Sequence, residues 1–230
     1  MSYLRLPRAC VMLASFLIVS LVLVKFPAID IRISSLFFDG QFYSQQLWWE
    51  QAFHRGVSIF ICVSVLSILG VYAFNRITKR KLLAIDGKKV VYLLVVLGLG
   101  AGLLVNVICK DNFGRARPRD VQEFGGQKHF TPAFVVASEC TSNCSFASGE
   151  TAAAFFSLSL VMALARRRRM FVASVVFGVA VSISRMAVGA HFFSDTVVSF
   201  FVMLILSDVL YHYMLAPQQE SEFVRKLALA

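Results

Sequence analysis

Charged residues are scarce in this chain. Asp, Glu, Lys and Arg together make up 16% of its 230 residues, whereas 58% are hydrophobic and the mean hydropathy is +0.71. A soluble domain carries about 25% charged residues, so this composition excludes an ordinary soluble globular protein and predicts an integral membrane protein. The sequence also has no internal repeat and no low-complexity linker. These absences predict a single domain over residues 1–230.

Apolar runs are abundant, and they set the predicted fold. Six of them are each near the ~20 residues that a helix needs to cross a bilayer. They cover residues 9–26, 56–74, 90–109, 148–165, 170–188 and 193–215. The first run ends in Lys25-Phe26-Pro27 rather than in a small-residue cleavage site, so we interpret it as an uncleaved span. We predict an all-α, polytopic membrane protein with six transmembrane helices in one bundle.

The net charge of +10 is concentrated in a few places. Basic residues stand at positions 5, 8, 76, 79–81, 88, 89, 166–169, 225 and 226. If six spans alternate, all of these fall on one side, which the positive-inside rule identifies as the cytoplasm. Both termini are then cytoplasmic, and residues 28–55, 110–147 and the turn at His191 face outward. We therefore interpret the basic residues as membrane anchors and expect no nucleic-acid partner.

Cysteines are few, and only two lie close together in an outward segment. Cys140 and Cys144 are separated by three residues, and an oxidising compartment favours a disulfide between them. Free thiols and a metal site are the alternatives. Thiolate zinc sites usually need four ligands, and the sequence supplies no others nearby. We expect neither a metal nor another cofactor.

A polar cluster at the end of the fifth apolar run gives the clearest functional signal. Ser184 and Arg185 are followed by His191 and, one helical turn later, by Asp195. Charged groups at the end of an apolar helix are costly unless they face protein or a polar cavity, and they commonly mark a functional site. A histidine whose second ring nitrogen is held by a carboxylate is a candidate nucleophile or base.

Two other outward segments add groups suited to binding phosphate. Lys110 and Arg117 follow the third run, and with Arg185 they supply three cations, two of them with forked guanidinium donors. Ser148 and Gly149 stand at the start of the fourth run, where a helix dipole and free backbone amides favour an anion. The sequence therefore predicts a phosphate site at one membrane face.

These motifs resemble those of the type 2 phosphatidic acid phosphatases, whose fold is shared with vanadium haloperoxidases and bacterial acid phosphatases. The family pattern K-x6-RP, PSGH and SR-x5-H-x3-D is matched in order and in spacing. The resemblance implies that His191 forms a phosphohistidine and that Asp195 orients it. It also implies a phosphate clamp made by Lys110, Arg117, Ser148, Gly149 and Arg185. No metal is implied.

The second motif departs from the family pattern at two positions. Ala147 replaces the proline, and Glu150 replaces the histidine that usually protonates the leaving group. A glutamate can donate that proton if its surroundings favour the protonated form, so Glu150 is a candidate catalytic residue. The alternatives are a water molecule, His129 from the long loop, or a purely capping role for the carboxylate.

Some polar residues near the motifs are predicted to have no catalytic part. Arg115 and Arg119 flank the first motif and are interpreted as solvated loop charges, with contact to a second phosphate or to lipid head groups as the alternative. His54 and His212 are interpreted as interfacial or packing histidines.

The long outward loop contains Phe124-Gly125-Gly126, Phe134-Val135, Cys140 and Cys144-Ser145-Phe146, and Phe26-Pro27-Ala28-Ile29-Asp30 stands earlier in the chain. Within the family, these segments resemble those of the bacterial lipid A 4'-phosphatases. This resemblance implies a protein of the bacterial inner membrane whose periplasmic site removes a phosphate from a sugar head group. Phosphatases of phosphatidylglycerophosphate, phosphatidate or undecaprenyl pyrophosphate and a lipid phosphotransferase are alternatives. A binder or transporter of phosphorylated lipids is another, although it would not need both His191 and Asp195. The expected partners are the bilayer and a phosphorylated lipid, with no obligate protein partner.

Overall fold

A computed structural model describes residues 5–44, 46–165 and 167–216, with side chains from Ala9 onward. Within these ranges the fold is built from seven helices and has no strand, which confirms the all-α prediction. They are α1 (Arg5–Lys25), α2 (Ala28–Ser35), α3 (Trp48–Thr78), α4 (Gly87–Asn112), α5 (Gly149–Leu164), α6 (Arg168–Ala187) and α7 (Phe193–Met214). Short 3-10 turns cover Leu82–Ala84, Pro118–Asp120 and Gln122–Phe124.

Four of these helices, α3, α4, α6 and α7, are long and apolar enough to cross a membrane. The first apolar run bends by 83° between α1 and α2, and the pair is a fifth candidate if it forms one broken span. The helix α5 has 16 residues and is about 24 Å long at 1.5 Å per residue, which is shorter than the ~30 Å hydrocarbon core. Six spans therefore remain a prediction. Arg166, Arg225 and Lys226, on which the predicted orientation partly depends, lie outside the described residues.

The helix α5 lies at the centre of the bundle. It packs against α4, α6 and α7. Apolar residues of α5 lie on every side of the helix, as expected of a helix buried in a core. The rings of Phe155 and Phe200 are 4.9 Å apart across the α5–α7 contact. Gly178 of α6 lies directly against Phe155, so the absence of a side chain lets α6 approach α5 closely.

The segment between α4 and α5 folds back over the end of the bundle. Ala137 N–H donates to Phe113 O and Ser145 N–H donates to Arg115 O, both at 2.9 Å. A Cβ at Gly114, whose φ is +56°, would collide with the Ala137 carbonyl, so glycine is required at this turn. The loop therefore covers the end of the bundle where α5 and α7 begin and where α4 and α6 end.

The contact between Gly178 and Phe155 generates a stability prediction. Gly178→Ala forces the Phe155 ring to move, and overpacking of this kind costs about 1–3 kcal/mol. We expect a lower unfolding temperature in detergent, measured by circular dichroism. Gly70→Ala on α3 is the matched control, because a Cβ there meets no atom within 4 Å. Equal unfolding temperatures for the two variants would contradict the packing argument.

Candidate active site

The six residues predicted to bind or attack phosphate, and Asp195, which is predicted to orient His191, all come from helix ends and connecting loops. Lys110 lies in the last turn of α4, Arg117 in the next loop, Ser148 and Gly149 at the start of α5, Arg185 in the last turn of α6, His191 just before α7, and Asp195 in its first turn. The contacts described below join these segments at one end of the bundle.

His191 is buried, with 3% of its surface exposed, and its orientation is set by a backbone carbonyl. Its Nδ1 lies 2.7 Å from Ser145 O. A carbonyl oxygen can only accept a hydrogen bond, so Nδ1 carries the proton and Nε2 keeps its lone pair. The nearest oxygen of Asp195 is 3.7 Å from Nδ1, which is too long for a hydrogen bond. The imidazole is therefore held directly by Ser145.

Asp195 reaches His191 through Ser145. Its Oδ2 accepts hydrogen bonds from Ser145 Oγ at 2.5 Å and from Phe192 N–H at 2.8 Å. Its Oδ1 accepts a hydrogen bond from Arg115 at 2.6 Å. Because these donors occupy both carboxylate oxygens, Asp195 positions the segment whose carbonyl holds His191. No motif in the sequence predicts a role for Ser145, although it begins the polar segment that opens α5.

Arg115 is fully buried, so its interpretation as a solvated loop charge is wrong. Its guanidinium donates to Asp30 Oδ2 at 2.8 Å as well as to Asp195, and its Nε donates to Thr131 O at 2.8 Å. The guanidinium also lies 4.3 Å from the centre of the Phe192 ring. Two buried carboxylates from α2 and α7 need a cation, and this need explains the burial of Arg115.

Lys110 and Arg117 contact the same uncharged residue, Asn143. Lys110 Nζ donates to Asn143 Oδ1 at 2.9 Å, and Arg117 donates to Asn143 O at 2.7 Å. Asn143 lies inside the loop that is closed by a disulfide between Cys140 and Cys144, whose Cα atoms are 5.6 Å apart. The disulfide loop therefore places a neutral acceptor beside two of the predicted clamp cations.

The electrostatic surroundings of His191 favour its neutral form. Burial lowers the pKa of His191, and the charges of Lys110 and Arg117 lower it further, while Asp195 opposes them. A neutral imidazole with an unprotonated Nε2 is the nucleophilic form of histidine.

Ser148 and Gly149 are positioned by helix geometry. Ser148 is the N-cap of α5, and its hydroxyl accepts a hydrogen bond from Thr151 N–H at 3.4 Å. A Cβ at Gly149 would collide with the side chain of Asn106, which lies in the π-helical part of α4. Glycine at 149 thus permits the start of α5 to approach α4, close to the clamp residue Lys110.

Arg185 and Glu150 belong to a chain of alternating charges. Arg185 pairs with the buried carboxylate of Glu50 on α3 and, at 2.7 Å, with Glu150 Oε2. The other oxygen of Glu150 lies 2.8 Å from His54 Nδ1. His54, which is interpreted from the sequence as an interfacial or packing histidine, therefore contacts a candidate site residue. Glu50 was missed, although it lies four residues before His54 near the start of an apolar helix.

His129 and Arg119, which the sequence suggests as alternatives, do not contact the charged residues around Arg185 and Glu150. His129 is exposed, and its backbone N–H donates to Glu139 Oε2 at 2.9 Å. Arg119 is partly exposed and lies 4.0 Å from Asp120. Within the part of the chain that the structure describes, no three His, Cys, Asp or Glu residues are grouped as metal ligands.

Comparison with known proteins places these motifs in a family context. The sequence profile of the PAP2 superfamily matches residues 89–218. A protein of Francisella tularensis subsp. novicida named lipid A 4'-phosphatase is 35% identical over 202 residues, which cover 82% of this chain and 87% of that protein. One of the same name from Rhizobium leguminosarum is 31% identical over 198 residues, covering 79% and 85%. No solved structure matches the chain.

The buried position of Arg115 predicts a large effect of its removal. Arg115→Ala leaves the carboxylates of Asp30 and Asp195 buried without their cation, and breaking such a pair costs about 3–5 kcal/mol. We expect a marked fall in unfolding temperature in detergent. Arg119→Ala, which removes a partly exposed charge, is the control and should change stability little. A small effect at both positions would contradict the role given to Arg115.

The lowered pKa of His191 predicts that its imidazole is protonated at a lower pH than an ordinary histidine. Because the folded protein disfavours imidazolium, the ring should stay neutral as the pH falls through about 6.5 and should gain its second proton only at lower pH. With 4 histidines in the chain, NMR of histidine-labelled protein in micelles, assigned with His191→Gln, measures the midpoint. Arg117→Gln should raise this midpoint because it removes a nearby positive charge. A midpoint at or above 6.5 in the unaltered protein would refute the prediction.

Proposed function

The chain belongs to the PAP2 superfamily. From that membership and from its similarity to two proteins named lipid A 4'-phosphatase, we propose that it is a bacterial membrane lipid phosphatase that removes the 4'-phosphate of lipid A. The observation that carries the proposal is the geometry of His191. Its Nδ1 is held by Ser145 O at 2.7 Å, which leaves Nε2 to attack phosphorus. The charges of Lys110 and Arg117 act on the same imidazole.

The proposed reaction has two steps. Nε2 of His191 bonds to phosphorus as the phosphorus–oxygen bond to the sugar breaks, and this gives a phosphohistidine. Water then attacks the phosphohistidine and releases inorganic phosphate. Lys110, Arg117 and Arg185 bind the three non-bridging oxygens, where charge spreads in the transition state. Positioning and electrostatic stabilisation of this kind supply most of the acceleration in phosphoryl transfer.

An apolar cleft beside the site supports a lipid substrate. It has a volume of about 370 Å³ and lies among α5, α6 and α7. Its lining includes Ser182, Ile183 and Met186 on either side of Arg185, and Phe193 and Thr196 on either side of Asp195. An acyl chain in this cleft would place its head group near the helix ends that carry Arg185 and His191.

The site is proposed to face the periplasm from the bacterial inner membrane, with both termini in the cytoplasm. The disulfide between Cys140 and Cys144 supports this orientation, because disulfides persist in the oxidising periplasm. The basic residues at 76, 79–81, 88 and 89 stand in the last turn of α3, in the connection after it and in the first turn of α4. They are at the opposite ends of those helices from Glu50 and Lys110. The positive-inside rule assigns that end to the cytoplasm.

Mass spectrometry of lipid A tests substrate and position together. Cells that express the unaltered chain should produce lipid A lacking the phosphate at the 4' position. His191→Ala should abolish this change, and the purified variant should release phosphate about 1000-fold more slowly or worse, because the attacking nitrogen is gone. Phosphate bound to the protein should be stable to alkali and labile to acid, as expected of a phosphohistidine. It should form only when His191 is present.

The control for this experiment is His212→Ala near the other end of α7, where the ring contacts Asp208 O. It should retain activity. Phosphate release by His191→Ala at the unaltered rate would refute the mechanism. Unchanged lipid A in cells, combined with phosphate release from a different purified lipid, would refute the substrate.

A further inference from the structure

The proposed reaction needs a proton donor as well as a nucleophile. A sugar hydroxyl leaves poorly as an alkoxide, and protonation in the transition state typically contributes 100-fold to 10,000-fold in rate. His191 must be neutral to attack, so it cannot also supply this proton. A second titratable group near the clamp is required.

Glu150 is poorly suited to donate that proton. Its Oε2 is paired with Arg185 at 2.7 Å, and its Oε1 lies 2.8 Å from His54 Nδ1. Both oxygens thus lie against nitrogen atoms of basic side chains, and these contacts occupy the carboxylate that would have to reach the leaving oxygen.

His54 has the features that Glu150 lacks. Its side chain is 57% exposed, so the ring is accessible beside the clamp. The carboxylate of Glu150 accepts a hydrogen bond from Nδ1–H, and this leaves Nε2 as the nitrogen free to exchange a proton with a substrate. Histidine is the side chain best suited to exchange protons near neutral pH.

The position of His54 is tied to the phosphate clamp. Glu50 lies four residues earlier on α3, so it shares a face with His54. Glu50 is buried against Arg185, which in turn pairs with Glu150. The position of the His54 ring is therefore set by two segments that both contact Arg185. One is α3, which carries Glu50 and His54 itself, and the other is the first turn of α5, which carries Glu150.

We propose that His54 is the proton donor to the departing sugar oxygen and that Glu150 is its positioning residue. This inference rests on the proposed phosphatase function. In the first step the Nε2–H of His54 passes its proton to the sugar oxygen as the phosphorus–oxygen bond breaks and the bond to His191 forms. In the second step neutral His54 takes a proton from the attacking water, and the phosphorus–nitrogen bond breaks with its electron pair returning to His191.

A comparison of leaving groups tests the proposal. Purified His54→Ala is assayed with a lipid whose phosphate is on a sugar hydroxyl and with a lipid-linked nitrophenyl phosphate, whose leaving group needs no proton. The expected result is that kcat for the sugar phosphate falls at least about 100-fold, whereas kcat for the nitrophenyl phosphate changes less than about threefold. The control is His129→Ala, which changes an outward histidine outside the cluster. This variant should cleave both substrates as the unaltered protein does.

Several results would overturn the role of His54. These are equal losses on both substrates, no loss on the sugar phosphate, or a selective loss in His129→Ala. His54→Gln gives a second test, because its amide can still donate to Glu150 but carries no transferable proton. It should remain slow on the sugar phosphate, and recovery to the unaltered rate would refute proton donation. If the unaltered protein releases phosphate from neither substrate, the proposed function fails instead.

Discussion

The buried guanidinium of Arg115 is the interaction on which the site depends. It joins Asp30 of α2, Asp195 of α7 and the carbonyl of Thr131 in the outward loop. Burying an ionised carboxylate without a partner costs several kcal/mol. Arg115 therefore offsets the cost of burying the two aspartates. Ser194 donates its N–H and its hydroxyl to Asp30. Three segments that are distant in sequence are thereby held in one arrangement.

This arrangement is connected to His191, the proposed nucleophile, through the neutral Ser145. Asp195, fixed by Arg115, accepts from Ser145 Oγ, and the carbonyl of Ser145 fixes the ring of His191. The negative charge of Asp195 raises the pKa of His191, but the burial of the ring outweighs it and favours the neutral imidazole. Lys110 and Arg117 contact the uncharged Asn143. Their positive charge therefore remains available to an anion, and it lowers the pKa of the nearby imidazole further.

Local features of the site could be predicted from the sequence, whereas distant partners could not. The turn between His191 and Asp195 and the N-cap at Ser148 depend on spacings of a few residues. The contacts of Arg115 with Asp30 and of Glu150 with His54 join residues 85 and 96 positions apart, for which no periodicity exists. The apolar runs predicted the helices, but not the bend after α1 or the shortness of α5. The bend falls beside Pro27, and helices usually end at or before the residue that precedes a proline.

The charges around Arg185 link the clamp to His54. Arg185 contacts two carboxylates, those of Glu50 and Glu150, so the three groups carry a net charge of −1 when both glutamates are ionised. A phosphate dianion is repelled by such a group. A protonated His54 beside Glu150 brings the total to zero and restores the attraction that Arg185 can offer. In the proposed mechanism, the proton that the leaving oxygen needs is thus also the charge that would let Arg185 bind phosphate, and substrate binding would be coupled to readiness for the first step.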